Sequence, residues 1–319
     1  MPDSDLIVLA VGGNSLIRDD RHRTVADQWA LARETCHHIA HIIEAGHNVV
    51  ITHGNGPQVG FIVRRSELAR HELHEVPLDS CGADTQGAIG YMIQQSLTNE
   101  FRQRGMSRQA LTVVTQVEVA ADSPAFTHPT KPIGSFMDEA TARERATVNH
   151  WTIAEQPGRG WRRVVPSPEP LRIVELDAIR HLVQDGYVVT AVGGGGIPVV
   201  RDAEGDLRGV EAVIDKDLAS SLLATALDAD LFMISTDVRK VCLDYGKPGE
   251  RPLDTMTLGD AKRYLAEGQF GAGSMAPKIE AIVRFLESPS SKPRRAIVTC
   301  PEDLEDALNG TAGTAIVPA

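Results

Sequence analysis

The sequence predicts an α/β protein in which helices cover both faces of a mostly parallel sheet. Two observations lead to this fold class. Short runs rich in Val, Ile and Leu alternate along the 319 residues with stretches whose apolar residues recur at helical spacing. Three of these runs end in glycine turns, at Gly12-Gly13, Gly54-Asn55-Gly56 and 193–196. Ligands bind beyond the carboxyl ends of such strands, so the turns indicate a pocket.

Local signals place the elements of the first third of the chain. The run Leu6–Val11 is apolar throughout, as a buried parallel strand is. Pro57 is predicted to open a helix, because it lacks the N–H that a first helical position leaves unpaired. The predicted set is strand 6–11, a helix over about 26–44, strand 47–52, the helix that starts at Pro57, a helix over 87–104 and strand 110–117.

From about 118 to 170 the alternation stops. This stretch is rich in Pro, Thr, Arg and Trp, and we interpret it as an inserted subdomain or lid. The alternation then returns, which again predicts a covered parallel sheet. The later predicted elements are a helix near 174–184, strand 187–192, a hairpin that turns at 203–206, helix 218–227, strand 231–235, helices near 257–266 and 277–286, strand 296–299 and a short last helix.

Composition excludes several classes of protein. The formal net charge of −11 argues against a nucleic-acid surface, which needs a basic face. No apolar run approaches the length that spans a bilayer, and the acidic N-terminus does not read as a signal peptide. The four cysteines are scattered and predict reduced thiols in a cytoplasmic protein. His37 and His41 have the i, i+4 spacing of metal ligands, but we interpret them as a solvated helix face.

Lysines accompany the glycine turns. Lys131 lies between two prolines, Lys216 lies between two aspartates at a predicted helix start, and Lys278 lies near another helix start. Lysines at helix N-termini are electrostatically unfavourable, which suggests an anion that offsets the cost. We therefore expect the three lysines to converge on one small anion, with Asp217 either capping its helix or holding a lysine in place.

This combination predicts phosphoryl transfer, in which catalysis is mostly positioning and charge neutralisation. The glycine turns are expected to add bare backbone N–H donors. A single glycine turn or a single lysine would indicate no more than a tight connection or a solvated charge. The chain has neither a G-x-x-x-x-G-K-S/T motif nor a G-x-G-x-x-G pattern, which excludes a P-loop enzyme and the dinucleotide fingerprint.

Longer motifs follow one another along nearly the whole chain. They lie at 12–14, 52–60, 86–92, 130–134, 162–168, 191–199, 214–220, 245–248 and 273–278. In this order they resemble the carbamate kinase family, a branch of the amino-acid kinase superfamily. The resemblance implies a three-layer αβα sandwich with a small protruding subdomain, and a homodimer. It also implies the reversible reaction of ATP and carbamate to ADP and carbamoyl phosphate with Mg²⁺.

The family often runs this reaction toward ATP synthesis from carbamoyl phosphate, and we expect the same use here, in arginine metabolism. By the same resemblance, residues 1–210 form the carbamate lobe, with a lid at about 118–170, and residues 211–319 form the nucleotide lobe. The expected partners are small molecules, with no nucleic acid, no membrane and no protein ligands for a metal.

The implied catalytic residues are Lys131, Lys216, Asp217 and Lys278. The implied substrate-binding residues are Gly12, Gly13, Asn14, Gly54, Asn55, Gly194 and Gly195, and the nucleotide would contact Lys216, Ser235, Asp237, Val241, Tyr245, Met275 and Lys278.

Two other functions stay open. One is a kinase of another small carboxylate such as acetylglutamate, or of a nucleoside monophosphate; those relatives usually carry a lysine where Ala10-Val11 stand here. The other is a non-catalytic sensor of a nucleotide or carbamoyl phosphate, although all three lysines are present. Several residues depart from the family pattern, which bears on the choice of acceptor: Ser15, Phe61, Asp84, His128, Ser135, Cys242 and Ala272.

Overall fold

The computed structural model describes residues 5–12, 22–271, 273–290 and 292–318. Gly13, Asn14, Ser15 and Ala272 therefore lie outside the described residues. The helices are α1 (Val25–Glu44), α2 (Gly56–Ala69), α3 (Leu78–Gln103), α4 (Glu139–Val148), α5 (Leu176–Gln184), α6 (Lys216–Ala226), α7 (Leu258–Ala266), α8 (Met275–Glu287) and α9 (Leu304–Leu308). Short 3₁₀ turns lie at Pro124–Phe126, Gly193–Gly195 and Pro301–Asp303.

The strands fall into one large and three small sheets. They are β1 (Leu6–Val11), β2 (Asn48–His53), β3 (Ala110–Thr112), β4 (Gln116–Val119), β5 (Lys131–Met137), β6 (Ile153–Gln156), β7 (Gly160–Val165), β8 (Pro170–Ile173), β9 (Val188–Thr190), β10 (Ile197–Arg201), β11 (Leu207–Gly209), β12 (Leu231–Ser235), β13 (Cys242–Leu243), β14 (Arg251–Pro252), β15 (Thr255–Thr257), β16 (Arg295–Thr299) and β17 (Thr314–Val317).

The large sheet has the order β15-β17-β16-β12-β1-β2-β9-β3. Its neighbouring strands are parallel, apart from the antiparallel pair β16–β17. β1 lies inside the sheet, where Ile7 pairs with Leu231 of β12 and with Val49 of β2. The predicted mostly parallel sheet is therefore confirmed.

Helices cover both faces of this sheet, so the predicted three layers are confirmed as well. Alternate residues of β1 point to opposite faces. Val8 and Ala10 belong to a core shared with α5, α6, α7 and α8, whereas Ile7 and Leu9 belong to a second core shared with α1, α3 and α9. Among the described residues, no helix has the length and hydropathy needed to cross a membrane.

The stretch interpreted as an insertion contains one small sheet and borders a second. β5, β7 and β6 form an antiparallel sheet with α4 beside it, and β4 and β8 join β10 and β11. Ile133 and Val165 of the three-stranded sheet pack against Val59 of α2 in a small apolar cluster. The predicted hairpin is confirmed as β10 and β11, which pair antiparallel.

Two predicted elements differ from the structure. The single strand predicted at 110–117 is wrong: β3 joins the large sheet, and the chain then leaves it so that β4 pairs with β10. The Thr115 N–H donates to Gln86 Oε1 at 2.7 Å, which fixes the break. Helix α3 begins at Leu78 rather than 87, and its first N–H donates to the distant Glu211 Oε1 at 2.9 Å. A local pattern does not reveal such a partner.

We expect alanine to have opposite effects at two glycines of α3. Gly87 is exposed, with no described atom within 4 Å of an added Cβ, whereas at Gly90 the Cβ would lie 2.3 Å from Thr112 Cγ2 and 2.9 Å from Thr112 Cβ. Gly87→Ala should raise the free energy of unfolding by about 0.5–1 kcal/mol through helix propensity. Gly90→Ala should lower it by about 1–3 kcal/mol through overpacking. Urea denaturation measures both, and equal values would contradict close packing of α3 on β3.

Candidate functional site

A cleft of about 620 Å³ opens at the carboxyl ends of β1 and β12. Its volume is typical of small-molecule sites, which measure about 300–1,000 Å³. Gly12 and Thr236, which directly follow the two strands, form part of its lining. Several residues predicted to bind a nucleotide also line it: Lys216, Asp237, Tyr245, Met275 and Lys278.

The carboxylate of Asp217 joins two of the lysines in this cleft. Lys216 Nζ donates to Asp217 Oδ1 at 2.5 Å, and Lys278 Nζ donates to Oδ2 at 3.1 Å. The Asp217 side chain is 4% exposed, and the side chains of Lys216 and Lys278 are 17% and 13% exposed. Each carboxylate oxygen thus holds one ammonium group at the edge of the cleft.

These contacts shift the pKa values of Asp217 and Lys216. Burial alone would raise the pKa of Asp217, but the two neighbouring ammonium groups hold that pKa below its ordinary value. Burial lowers the pKa of Lys216, and the Asp217 carboxylate opposes this effect. Two cations share one anion, so a ligand anion that enters the cleft would stabilise the protonated form of Lys216.

Lys131 is tied to the same helix start from the protruding subdomain. Its Nζ donates to Asp215 Oδ2 at 2.7 Å, and its side chain is 35% exposed. Asp215 is also the N-cap of α6, where its Oδ1 accepts from the Asp217 N–H at 2.9 Å. The cap is therefore Asp215, and Asp217 holds lysines. The structure brings the three predicted lysines to residues 215–217.

The glycine turn at 193–196 is buried and packs against Ile214, directly before the start of α6. Val192 and Gly194 have φ of 53° and 68°, and Gly195 and Gly196 have 96° and 88°. A positive φ is unfavourable for a β-branched residue such as Val192, so surrounding contacts must hold it. The Gln86 amide supplies one of them, since Nε2 donates to the carbonyls of Thr115 and Gly193, both at 3.0 Å.

Close packing leaves no room for a side chain at Gly193 and Gly194. A Cβ at Gly193 would lie 2.4 Å from His53 Nε2, and one at Gly194 would lie 2.0 Å from Asn55 Nδ2. Asn55 is buried, and its Nδ2 donates to Thr85 Oγ1 at 2.8 Å. The turns after β2 and β9 thus pack directly on each other, which brings Gly54, Asn55, Gly194 and Gly195 together.

The expectation of bare backbone donors is wrong for several of these glycines. Gly12 N–H donates to Ser235 O at 2.9 Å, and Gly54 N–H donates to Val11 O at 3.0 Å. Gly195 N–H donates to Val192 O at 3.1 Å. At these three positions the N–H is already bonded within the protein, so glycine serves close packing and backbone conformation there. The cations of the site come from side chains.

His53 is buried beside the glycine turn. Its Nδ1 lies 3.0 Å from the carbonyl of Gly54, whereas its Nε2 is buried without a hydrogen-bond partner among the described residues. Burial lowers the pKa of His53 to about 4, and the nearby Lys216 ammonium acts in the same direction. The imidazole is therefore neutral at physiological pH, and the residue does not read as a general base.

Two predicted nucleotide-binding residues lie deeper than expected. Ser235 and Val241 are both 0% exposed and do not form part of the cleft lining. Their direct contact with a ligand stays a prediction. The cleft also has lining residues without a predicted role, which include Thr236, Lys240, Asp244, Lys247, Gln269 and Phe270. The rule that ligands bind beyond the ends of parallel strands could have indicated Thr236, which directly follows β12.

The departures from the family pattern lie in different places. Cys242 lines the cleft, and burial raises its thiol pKa. Asp84 is exposed on α3 and does not form part of the cleft lining. Residues 22–271, 273–290 and 292–318, together with 5–12, contain no group of three or more His, Cys, Asp or Glu side chains that could hold a metal ion.

The sequence and the structure are both similar to those of known kinases. A sequence model of the amino acid kinase family matches residues 5–298. The chain is 47% identical to the carbamate kinase-like protein YahI of Escherichia coli and 46% identical to a carbamate kinase of Pyrococcus horikoshii, with 98% of this chain and 99% of each relative covered. A structure titled carbamate kinase from Giardia lamblia bound to AMP-PNP superposes with a TM-score of 0.92, at 40% identity and with all of both chains covered.

The lowered pKa of His53 predicts a pH-dependent contribution to stability. The unfolded chain takes up this proton near the ordinary pKa of 6.5, and the folded chain does so at about 4. Stability is therefore fully present above pH 6.5 and is lost as the pH falls toward 4, by about 3 kcal/mol. Between pH 7 and 4.5, the free energy of unfolding should fall less in His53→Gln than in the wild type.

Chemical denaturation at several pH values measures this difference. The exposed His71 provides the control, since His71→Gln should keep the wild-type pH dependence. Parallel profiles for the wild type and His53→Gln would contradict a neutral, buried imidazole at this position.

Proposed function

This chain belongs to the amino acid kinase family and, within it, to the carbamate kinases, and we propose that it transfers a phosphoryl group reversibly between ATP and carbamate. The observation that carries the proposal is the pair of ammonium groups on the Asp217 carboxylate at the edge of a nucleotide-sized cleft. The relatives that are 44–47% identical over nearly their whole lengths include several carbamate kinases, which supports the same activity here.

The proposed reaction brings two anions within bonding distance. Carbamate already carries an anionic oxygen, so its attack on the γ-phosphorus needs no general base. What the reaction requires is relief of charge repulsion, which Lys131, Lys216 and Lys278 can supply. Asp217 would hold two of these cations in place before substrate arrives. A fixed arrangement of charges costs no reorganisation at the moment of transfer.

We assign the nucleotide to the lobe 211–319. Among the described residues, those that line the cleft come from positions 216–278, apart from Gly12, which supports this assignment. The carbamate would bind in the lobe 1–210, where Asn55 packs against Gly194. Lys131, from the subdomain at about 118–170, would then reach the transferring group from the opposite side.

Mg²⁺ fits this site as a partner of the nucleotide. It usually keeps several waters and binds through substrate phosphates and one or two carboxylates, rather than in a cage of protein ligands. The described residues offer no such cage, whereas Asp237 lines the cleft. When bound, the ion would supply positive charge that offsets the charge of the phosphates.

The wider biology is part of the same proposal. We expect a homodimer that acts in the cytoplasm and uses carbamoyl phosphate to make ATP, as part of arginine metabolism. Two of the relatives, YahI and YqeA of Escherichia coli, carry the name carbamate kinase-like protein. The choice of acceptor is therefore the point that most needs a direct experiment.

We expect the purified chain to make ATP from ADP, Mg²⁺ and carbamoyl phosphate. Luciferase detection of ATP measures the rate, and acetyl phosphate and acetylglutamyl phosphate serve as alternative donors. Faster turnover with another acyl phosphate would indicate a kinase of a different carboxylate. Nucleotide binding without turnover of any donor would indicate a sensor.

Lys216→Ala should lower kcat for ATP synthesis about 100-fold, because removal of one fixed donor to the transition state typically costs that much or more. The control is Lys262→Ala, since the Lys262 side chain is 55% exposed and pairs with Glu287 on the surface. Steady-state kinetics of both variants provide the comparison. A decrease of less than about threefold in Lys216→Ala would show that this lysine is peripheral.

Lys131→Ala should impair the use of carbamoyl phosphate while leaving ADP binding nearly unchanged. We expect kcat/KM for carbamoyl phosphate to fall about tenfold or more, because a cation at the transferring group is lost. The Kd for ADP, measured by calorimetry, should change little, since Lys131 is not part of the cleft lining. Parallel loss of ADP binding would instead assign Lys131 to the support of α6 through Asp215.

A further inference from the structure

Two histidines on α1 direct their Nε2 atoms toward each other. His37 and His41 are one helical turn apart, and their Nε2 atoms lie 3.4 Å from each other. Their side chains are 53% and 38% exposed, so the point between them is open to solvent. From this geometry we propose that the pair binds a divalent transition-metal ion such as Ni²⁺, Cu²⁺ or Zn²⁺.

The separation of the two nitrogens suits a metal ion. Metal–imidazole bonds measure about 2.0–2.1 Å, so two such ligands at a tetrahedral angle lie about 3.4 Å apart. The structure has this distance without any rearrangement of α1. Neutral imidazole nitrogens prefer Ni²⁺, Cu²⁺ and Zn²⁺, whereas Mg²⁺ prefers oxygen ligands.

Carboxylates stand behind both rings. His37 Nδ1 lies 3.2 Å from Glu100 Oε2 of α3, and His41 Nδ1 lies 4.0 Å from Glu305 Oε2 of α9. Metal-bound histidines almost always donate their second N–H to such an acceptor, which fixes the ring and turns the other nitrogen toward the metal. Glu100 can accept from His37 Nδ1–H in this way, which would turn the Nε2 lone pair of His37 toward the ion. Glu305 lies beyond hydrogen-bond distance of His41.

Side chains of both charges lie beside the two rings. Arg104 approaches both rings, with Nη2 at 3.3 Å from His37 Nδ1 and Nη1 at 3.4 Å from His41 Nδ1. This guanidinium is itself paired with Glu44 and Glu100. Metal binding through both Nε2 atoms leaves the protons on Nδ1, so Arg104 would give up its contacts with the two Nδ1 atoms and keep its pairs with Glu44 and Glu100.

The site differs from the proposed active site in both place and chemistry. His41 lies in the last turn of α1, shortly before β2 begins, and α1 packs with α3 and α9 on the face of the sheet opposite to α6 and α8. Among the described residues, no group of three or more metal-binding side chains occurs, so water would complete the coordination of this two-histidine site. The inference rests on α1, α3 and α9 and does not depend on the proposed function.

The experiment is calorimetric titration of the whole chain, prepared without a polyhistidine tag, with Cu²⁺, Ni²⁺, Zn²⁺ and Mg²⁺ in turn. We expect one equivalent of Cu²⁺ to bind more tightly than Ni²⁺ and Zn²⁺, and no binding of Mg²⁺ at this site. His37→Ala and His41→Ala should each weaken Ni²⁺ binding about tenfold or more, and Glu100→Gln should weaken it about tenfold.

Two controls separate this pair from other histidines and from misfolding. His71→Ala removes an exposed histidine outside the helices and should leave metal binding unchanged. His37→Ala and His41→Ala should keep the wild-type far-ultraviolet circular dichroism and the wild-type rate of ATP synthesis. Absence of saturable Ni²⁺ and Cu²⁺ binding would overturn the proposal. So would binding that persists in a variant that carries both His37→Ala and His41→Ala.

Discussion

The contact of one buried carboxylate with two ammonium groups is the interaction on which the candidate site depends. Asp217 holds Lys216 and Lys278 at the edge of the cleft, and Asp215, at the cap of the same helix, holds Lys131. Loss of one partner from a buried ion pair leaves an uncompensated charge, which costs about 3–5 kcal/mol. The cations are therefore fixed before any ligand binds, and two of them share a single anion, which leaves them able to attract another.

The glycine turns serve this arrangement through shape rather than through free donors. The N–H groups of Gly12, Gly54, Gly195 and Gly196 are bonded within the protein. The positive φ values at 192 and 194–196 allow the chain to pass between Asn55 and Ile214, just before α6. Gln86 bridges this turn and Thr115, which lies between β3 and β4, so α3 supports a backbone that would otherwise be unfavourable. A neutral His53 beside them adds bulk without adding charge to a region already rich in cations.

Much of the architecture could be predicted because it depends on local patterns. The apolar runs fixed the strands of the large sheet, and glycines marked the strand ends that face the site. The early start of α3 could not be predicted, since its first N–H is satisfied by Glu211, 133 residues away. For the same reason, sequence reasoning could not decide between a capping and a lysine-holding role for Asp217. The depth of Ser235 and Val241 depends on packing around β12, which no local pattern reports.

The position of β1 has a consequence for synthesis of the chain. This apolar strand is synthesised well before β12, yet Leu6 N–H donates to Asp230 Oδ2, 224 residues away, and the strand gains its second neighbour only with β12. Until then one edge of a hydrophobic strand stays open, which is a hazard for aggregation in nascent chains. The bond from Gly12 to Ser235 O, beside the cleft, forms at the same late stage. A ribosome-bound fragment that ends before Ser235 therefore lacks both a closed sheet and a finished nucleotide cleft.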